Sequence, residues 1–252
     1  MPPSTPSAHL FLQRLAPTAW HLLRELVSRA KGQDPLAPAT VVVPSTYAGL
    51  FLRRALGRQG LANVRFLVPP RLAELLGAPA LAAQGKRPLT SILEGSAVRA
   101  AASGAQGPLT SLRDHPSLHQ CLRATFRELR RTGPEVVARL STQGGLRAQV
   151  MYLYRRFQDL TRGYYDREEL AQSAAQAVAS GTAPGLPDLG PVILYLVHDL
   201  SPAELALVQA LARFWRCDAV LGLTGDALVD GRIRSLADHL FPYLGPAQEV
   251  VA

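Results

Sequence analysis

The chain of 252 residues has 48% hydrophobic residues and a formal net charge of +8 at neutral pH. This length supports one large domain, or two small ones, with a full hydrophobic core. Its two cysteines, Cys121 and Cys217, exclude a disulfide scaffold and a cysteine-rich zinc site. No apolar run of about 18 residues and no signal-peptide pattern is present, so we expect a cytoplasmic protein without a membrane partner.

The positive charge is concentrated in one part of the chain. Between Arg113 and Arg167, eleven arginines stand against five acidic residues. A local basic excess favours polyanions such as nucleic acid. The alternative is a solvated helical face in an arginine-rich protein.

The N-terminal third predicts alternating helices and strands. Leucine spacing predicts a helix over 8–31, and the β-branched run over 40–43 predicts a strand buried on both faces. Ser45 or Thr46 is the predicted cap of a helix that continues through Leu56.

A second strand is predicted over 63–68, followed by a helix that starts at Pro69-Pro70 and continues through Leu76. Strand–helix–strand spacing of this kind is typical of parallel sheets.

The middle of the chain, 77–189, predicts an all-α insertion. Apolar residues recur at helical spacing on two of its segments. These residues are Leu118, Leu122, Phe126 and Leu129 on the first, and Val150, Leu153, Tyr154 and Phe157 on the second. A further helix is predicted over 168–178.

Strand signals return in the last quarter. The run 191–197 predicts a buried strand, and Ser201 and Pro202 predict the start of a helix. Another strand is predicted over 218–224 and a last helix over 232–240. We therefore predict an α/β core from 1–76 and 190–252 that shares one parallel sheet, with the insertion between its halves.

No complete catalytic motif is present in the sequence. No glycine-rich string followed by lysine is present for phosphate binding. Asp199 and Asp226 each follow a strand, where Mg²⁺ ligands could lie, although turn and cap roles are more common there. No nucleophile motif surrounds Ser45, Ser201 or either cysteine. His115 and His119 are four residues apart but lack a third metal ligand nearby. We predict no cofactor and no metal.

Arginines near aromatic residues are the strongest binding signal. Single-strand nucleic-acid binding combines backbone-neutralising charge with stacking platforms. The neighbouring aromatics are Tyr152, Tyr154, Tyr164 and Tyr165. The arginines are Arg123, Arg127, Arg130, Arg131, Arg155 and Arg156.

Several weak motifs follow one another in a characteristic order. A Leu22-Leu23 pair precedes a strand and helix at 41–54 and another strand and helix at 63–76. Asp199-Leu200-Ser201-Pro202 then opens a leucine-rich helix, and a strand ends in Gly225-Asp226. This layout resembles the first ATPase domain of superfamily I (UvrD/Rep-like) DNA helicases. It is more similar to the inactivated N-terminal helicase part of the AddB/RexB-like proteins of ATP-dependent helicase/deoxyribonucleases, which are PD-(D/E)xK nuclease family proteins.

The resemblance implies a P-loop-NTPase-like (RecA-like) core whose ATP site is degenerate. Pro17, Thr18 and Ala19 stand in the positions of the family's Gly-Lys-Thr. Tyr195 and Leu196 replace its metal-binding Asp-Glu pair, and Val229 replaces a glutamine. ATP hydrolysis depends on charge stabilisation linked to Mg²⁺, so losing these groups together should abolish it.

The resemblance also implies DNA contact at Ser45, Thr46 and Arg53. The expected function is a non-catalytic, helicase-like domain of a DNA repair or recombination nuclease. It would act as a scaffold and contact DNA, single-stranded or a duplex end, or a helicase–nuclease partner subunit. The alternatives are an active ATP-dependent helicase domain that uses Asp199 and Asp226, and a protein-interaction module that does not bind DNA.

Overall fold

The computed structural model describes residues 8–15 and 20–250. Strands and helices alternate near both ends of the chain, and helices dominate the middle. In chain order the elements are β1 (Leu10–Arg14), α1 (Trp20–Lys31), β2 (Ala39–Val42), α2 (Thr46–Gly57), β3 (Val64–Leu67), α3 (Pro69–Ala83), β4 (Arg87–Pro88), α4 (Ser91–Ala102), a 3₁₀ helix (Gly107–Leu112), α5 (Pro116–Arg131), α6 (Pro134–Ser141), α7 (Leu146–Leu160), β5 (Tyr164–Tyr165), α8 (Arg167–Ala179), α9 (Leu186–Leu189), β6 (Val192–Tyr195), α10 (Pro202–Phe214), β7 (Cys217–Leu223), α11 (Ala227–Leu244) and β8 (Ala247–Val250).

Within the described residues, six strands form one parallel sheet in the order β3-β2-β6-β7-β1-β8. The molecule is therefore a mixed α/β protein, as predicted. Strands from both ends of the chain share this sheet. In register, Leu10 of β1 lies opposite Ala219 of β7, and Val192 of β6 lies opposite Cys217 of β7.

The predicted helix over 8–31 is wrong in its first half. Residues 10–14 form β1, which lies between β7 and β8, and α1 begins only at Trp20. Leu10, Phe11, Leu12 and Gln13 are all buried, because both faces of this strand are covered. The position between two strands decides the conformation here and overrides the helical propensity of leucine.

The other predicted core elements are present. The structure contains the strands predicted at 40–43 and 63–68 and the helices that follow them, with α3 extending beyond Leu76 to Ala83. Ser45 is the cap of α2, where its hydroxyl accepts a hydrogen bond from the Ala48 amide at 3.2 Å.

The C-terminal quarter agrees with the prediction in order but not in every boundary. Ser201 and Glu204 form a reciprocal capping box at the start of α10. The last helix is longer than predicted, because Asp226 caps it and it spans Ala227–Leu244 instead of 232–240. The edge strand β8 was not predicted, since three of its four residues are exposed and Gln248 and Glu249 interrupt any apolar run.

Helices cover both faces of the sheet. Phe11, Val41, Ile193 and Val220 belong to a cluster that also contains buried leucines of α1 and α2. Helices α10 and α11 pack against β7, and α11 also packs against β1. All four residues of β6 are buried, as expected for a central parallel strand.

The chain divides into two compact units. The first comprises residues 1–79 and 171–252 and contains the six-stranded sheet; the second comprises 80–170. The predicted insertion, 77–189, extends past the second unit at both ends.

The second unit, residues 80–170, has its own core. Val98, Leu122, Phe126, Leu153 and Phe157 are almost fully buried in that unit. The predicted apolar faces of α5 and α7 therefore form this core, although Leu118 and Val150 are only partly buried. The insertion is not all-α as predicted, because a short two-stranded pair, β4 with β5, also lies in the second unit. Strands of two residues each carry no alternating or apolar run that a sequence pattern could show.

No helix in the described parts of the chain combines the length and hydropathy needed to cross a bilayer.

A substitution of Gly190 tests the junction before β6. Gly190 has φ +61°, and a Cβ there would lie 1.9 Å from the carbonyl oxygen of Pro38. We expect Gly190→Ala to lower the free energy of unfolding by at least about 2 kcal/mol more than Gly181→Ala. Gly181 is the matched control, because it has φ +69° but open space at its Cβ. Denaturant unfolding followed by tryptophan fluorescence would measure both, since the Trp215 indole donates to the Gly190 carbonyl at 2.8 Å. Equal losses would mean that the clash is absent.

Candidate functional site

Three strand ends meet at the carboxyl edge of the sheet. Strands β6, β7 and β1 are neighbours in that order and run parallel, so their carboxyl ends lie side by side. The three segments that the sequence resemblance compares with ATP-site motifs follow these strands along the chain or lie at their ends. In open α/β sheets this edge is where ligands bind.

Leucine side chains fill the surface above β7 at this edge. A Cβ on Gly222 would lie 2.8 Å from Leu15 Cδ2 and 3.0 Å from Leu196 Cδ2. The Leu15 amide donates to the Leu223 carbonyl at 2.9 Å, and the Leu196 amide donates to the Val220 carbonyl at 2.8 Å. Both leucines are therefore held against Gly222 by the backbone as well as by packing, and the site is apolar at this point.

The predicted degenerate positions have these locations. Pro17, Thr18 and Ala19 lie outside the described residues. Tyr195 is buried at the end of β6, and burial raises the pKa of its hydroxyl to about 12. Leu196 follows it with φ +55°, and Val229 is half-exposed on α11.

Of the two aspartates considered as Mg²⁺ ligands, Asp226 is engaged by the protein itself. It accepts hydrogen bonds from the Leu228 and Val229 amides at 2.9 and 3.1 Å, which is a capping role. Asp199 is exposed in the segment before α10. In the described part of the chain, no group of three or more histidine, cysteine, aspartate or glutamate side chains is arranged for a metal ion.

Asp230 is a buried, hydrogen-bonded carboxylate near the candidate site that the sequence analysis did not identify. It is buried and accepts hydrogen bonds from the Thr224 amide, the Thr224 hydroxyl and the Gly225 amide at 2.7–3.0 Å. These bonds, first that of the Thr224 amide, hold the pKa of Asp230 below its usual range. In the sequence, the only feature that could have pointed to Asp230 is its spacing of one helical turn after Asp226. Its role in the structure is to fix the turn that follows β7.

All the candidate nucleophiles except Cys121, and both histidines, are engaged within the fold. Ser45 and Ser201 cap α2 and α10, and burial raises the pKa of the Cys217 thiol to about 12. His115 caps α5 through the Ser117 amide, and a ring nitrogen of His119 lies 2.7 Å from the Arg113 carbonyl oxygen. Cys121 is exposed.

Two arginines of the predicted DNA-contacting set bind one buried carboxylate. Arg123 Nε lies 2.6 Å from Glu94 Oε2, and Arg127 reaches both Glu94 oxygens at 2.8 and 2.6 Å. Burial alone would raise the pKa of Glu94, but the hydrogen bonds from Arg127 and Arg123 outweigh it and hold the pKa below its usual range. These arginines join α5 to α4 within the second unit.

Arg130 also has an internal role. It pairs with Asp166, donates to the Thr161 hydroxyl at 3.0 Å and lies 5.0 Å above the Phe157 ring. Its side chain is only 17% exposed, which leaves little of it for a ligand.

The other three arginines of the set are free of carboxylates among the described residues. Arg131 and Arg155 are exposed. The Arg156 guanidinium packs over Gly104 and lies 5.9 Å from the ring centroid of Tyr152. Tyr152 is half-exposed, whereas Tyr154 is buried in the core of the second unit and offers no stacking platform.

A cavity of about 230 Å³ lies beyond the carboxyl ends of β2 and β3. Thr46 and Arg53, which the resemblance implies as DNA contacts, both line it, and so does Arg71 of α3. Ser45 is not among its lining residues, and its hydroxyl caps α2. The rest of the lining is apolar, and sequence reasoning missed the cavity because its walls come from four separate segments.

No protein-family model matches the chain, and no curated protein sequence matches it either.

Removing the Glu94 carboxylate tests whether Arg123 and Arg127 are structural. We expect Glu94→Gln to cost about 1–3 kcal/mol of unfolding free energy at neutral pH, because two guanidinium groups lose a buried partner. The matched control is Glu74→Gln, which removes a half-exposed pair with Arg71 and should cost under about 0.5 kcal/mol.

The pH dependence of this difference follows from the direction of the Glu94 pKa shift. A lowered pKa gives stability above the unfolded-state pKa of about 4.3, and that stability is lost as pH falls through the folded-state value. Denaturant titrations should therefore find wild type and Glu94→Gln converging below about pH 4. A difference that persists unchanged at low pH would contradict an ionic role for Glu94.

Proposed function

We propose that this chain is a non-catalytic, helicase-like domain of a DNA repair or recombination nuclease, with a RecA-like core that no longer hydrolyses ATP. Its role is to act as a scaffold and to contact DNA or a partner subunit. The nuclease activity itself belongs to the family that the sequence resembles, and no residue of this chain is assigned to it.

The adjacency of β6, β7 and β1 is the observation that carries this proposal. The first degenerate motif lies about 175 residues or more before the other two along the chain, yet the sheet order brings the three strands side by side at one edge. An unrelated fold would not require these three segments, which the resemblance links to ATP, to lie side by side. Their adjacency therefore supports the proposal.

The chemistry of that edge supports loss of hydrolysis. Phosphoryl transfer needs cationic and Mg²⁺-linked stabilisation of the phosphate oxygens. The end of β6 instead offers the buried Tyr195 and the apolar Leu196, and the Asp226 carboxylate is engaged by backbone amides. An apolar surface of this kind suits packing against protein more than nucleotide binding.

DNA contact is assigned to the arginines of the predicted set that have no carboxylate partner among the described residues. Arg131, Arg155 and Arg156 lie in the second unit, and Arg156 lies beside the half-exposed Tyr152. Such side chains neutralise phosphates and give sequence-independent binding with strong salt dependence. Arg123, Arg127 and Arg130 are not included in the proposed DNA contact, because each already pairs with a carboxylate inside the second unit.

Nucleotide titration tests the loss of ATPase function. We expect calorimetry with Mg²⁺-ATP to find no saturable binding up to about 1 mM, the upper range of typical Michaelis constants, and no phosphate release. The apolar edge above Gly222 is the physical reason. Micromolar ATP affinity or measurable turnover would instead favour an active ATPase that uses Asp199 and Asp226.

Charge reversal tests the DNA contact. With a fluorescent oligothymidylate, we expect anisotropy to report binding at about 50 mM salt that weakens steeply by about 200 mM. The triple variant Arg131→Glu, Arg155→Glu and Arg156→Glu should bind more weakly and lower the salt slope by about 2, since each phosphate contact on a single strand contributes about 0.7.

The matched control carries the same reversals at Arg24, Arg216 and Arg232, which are exposed residues of the first unit. This control variant changes the net charge by the same amount as the triple variant. After correction for overall charge, we expect it to bind the oligothymidylate as strongly as wild type does. Equal weakening of both variants, or no binding at low salt, would favour a protein-interaction module without DNA contact.

A further inference from the structure

The cavity beyond β2 and β3 has an apolar lining and a cationic rim. Val43, Phe66, Leu67 and Val68 line it from the strand ends, and Gly49 and Leu50 line it from α2. Gly49 allows α2 to approach β3 closely, because a Cβ there would lie 3.1 Å from Phe66 Cβ. The polar side chains of the lining are Thr46, Arg53 and Arg71.

The face of α2 next to this cavity exposes large apolar side chains to solvent. Tyr47 is 85% exposed, Phe51 66% and Leu50 45%. Their spacing of three and four residues places them on one helical stripe. Exposed apolar stripes of this kind, rimmed by polar residues, mark interaction sites in soluble proteins.

The surrounding charge is of one sign. Residues 35–73 contain no aspartate or glutamate. They contain five arginines: Arg53, Arg54, Arg58, Arg65 and Arg71. The nearest carboxylate along the chain is Glu74, which pairs with Arg71 at 2.6 Å with both side chains about half-exposed. An exposed pair of this type is weak and exchanges readily for another carboxylate.

We propose that this cavity and the stripe Tyr47–Leu50–Phe51 form a docking site for an acidic peptide segment of a partner protein. An apolar anchor side chain of the peptide occupies the cavity, and flanking carboxylates pair with Arg53 and Arg71. Tyrosine and arginine are among the residue types that dominate the energy of protein interfaces. This inference does not rest on the helicase-like proposal, because it uses only the surface of α2, β3 and α3.

The size and lining of the cavity favour a peptide over other ligands. At about 230 Å³ it is smaller than the roughly 300–1,000 Å³ typical of small-molecule sites, but it has room for an anchor side chain. A phosphate placed inside would lose hydration against apolar walls, which is costly without full pairing. A peptide places its apolar group in the cavity and its charges on the rim.

Peptide selection tests the proposal. A random twelve-residue phage-displayed library would be selected on the full chain, with Arg53→Glu/Arg71→Glu as the counter-selection target. We expect enriched clones to carry leucine-, phenylalanine- or tryptophan-type anchors flanked by aspartate or glutamate. Synthetic peptides from those clones should bind the double variant at least about tenfold more weakly. Leu50→Asp should also weaken binding by repelling the flanking carboxylates and removing apolar contact.

The matched control is Arg54→Glu/Arg58→Glu, which makes the same charge change on or beside α2 at residues that do not line the cavity. It should retain most of the affinity, and circular dichroism and thermal unfolding should be unchanged in every variant. Absence of enrichment, clones without acidic bias, or equal weakening by both double variants would overturn the proposal.

Displacement of a bound peptide by oligothymidylate, with the same dependence on Arg53 and Arg71, would assign the cavity to nucleic acid and also overturn the proposal. None of these results would affect the DNA contact proposed for Arg131, Arg155 and Arg156, which lie in the other unit.

Discussion

Pairing of β7 with β6 on one side and β1 on the other is the constraint on which the first unit depends. It joins an N-terminal strand to two C-terminal strands in one parallel sheet. Because parallel strands cannot be linked by a tight turn, helices must cross between them, and those helices cover both faces. The same pairing brings three distant strand ends to one edge and so decides what that edge can bind.

Much of the first unit could be predicted because its local signals agree with the final fold. The capping residues Ser45 and Ser201 and the buried runs at 40–43 and 191–197 act within a few residues, so they are readable from sequence. The strand β1 was not readable, since Leu10 and Leu12 are strand residues only when β7 and β8 lie beside them. The exposed strand β8 depends in the same way on its pairing with β1.

The candidate sites were predictable in composition but not in pairing. The arginine stripe of α5 is visible in the sequence, yet nothing local reveals that Glu94, 29 residues before Arg123, binds two of its members. The cavity beside α2 depends likewise on segments that meet only after folding. Sequence patterns do not show which side chains pair across long stretches of the chain. Those pairings decide which charged groups have no internal partner.

The division of the sheet between the two ends of the chain has a consequence for biosynthesis. Strand β1 leaves the ribosome early but finds its neighbour β7 only after residue 223 has been made, whereas the helical core of residues 80–170 is complete in sequence much sooner. Contacts between distant residues also slow folding, because a long loop must close before they form. Nascent chains should thus acquire the helical unit first, while β1 and β2 still lack their C-terminal neighbours, and this is the interval in which chaperones matter most.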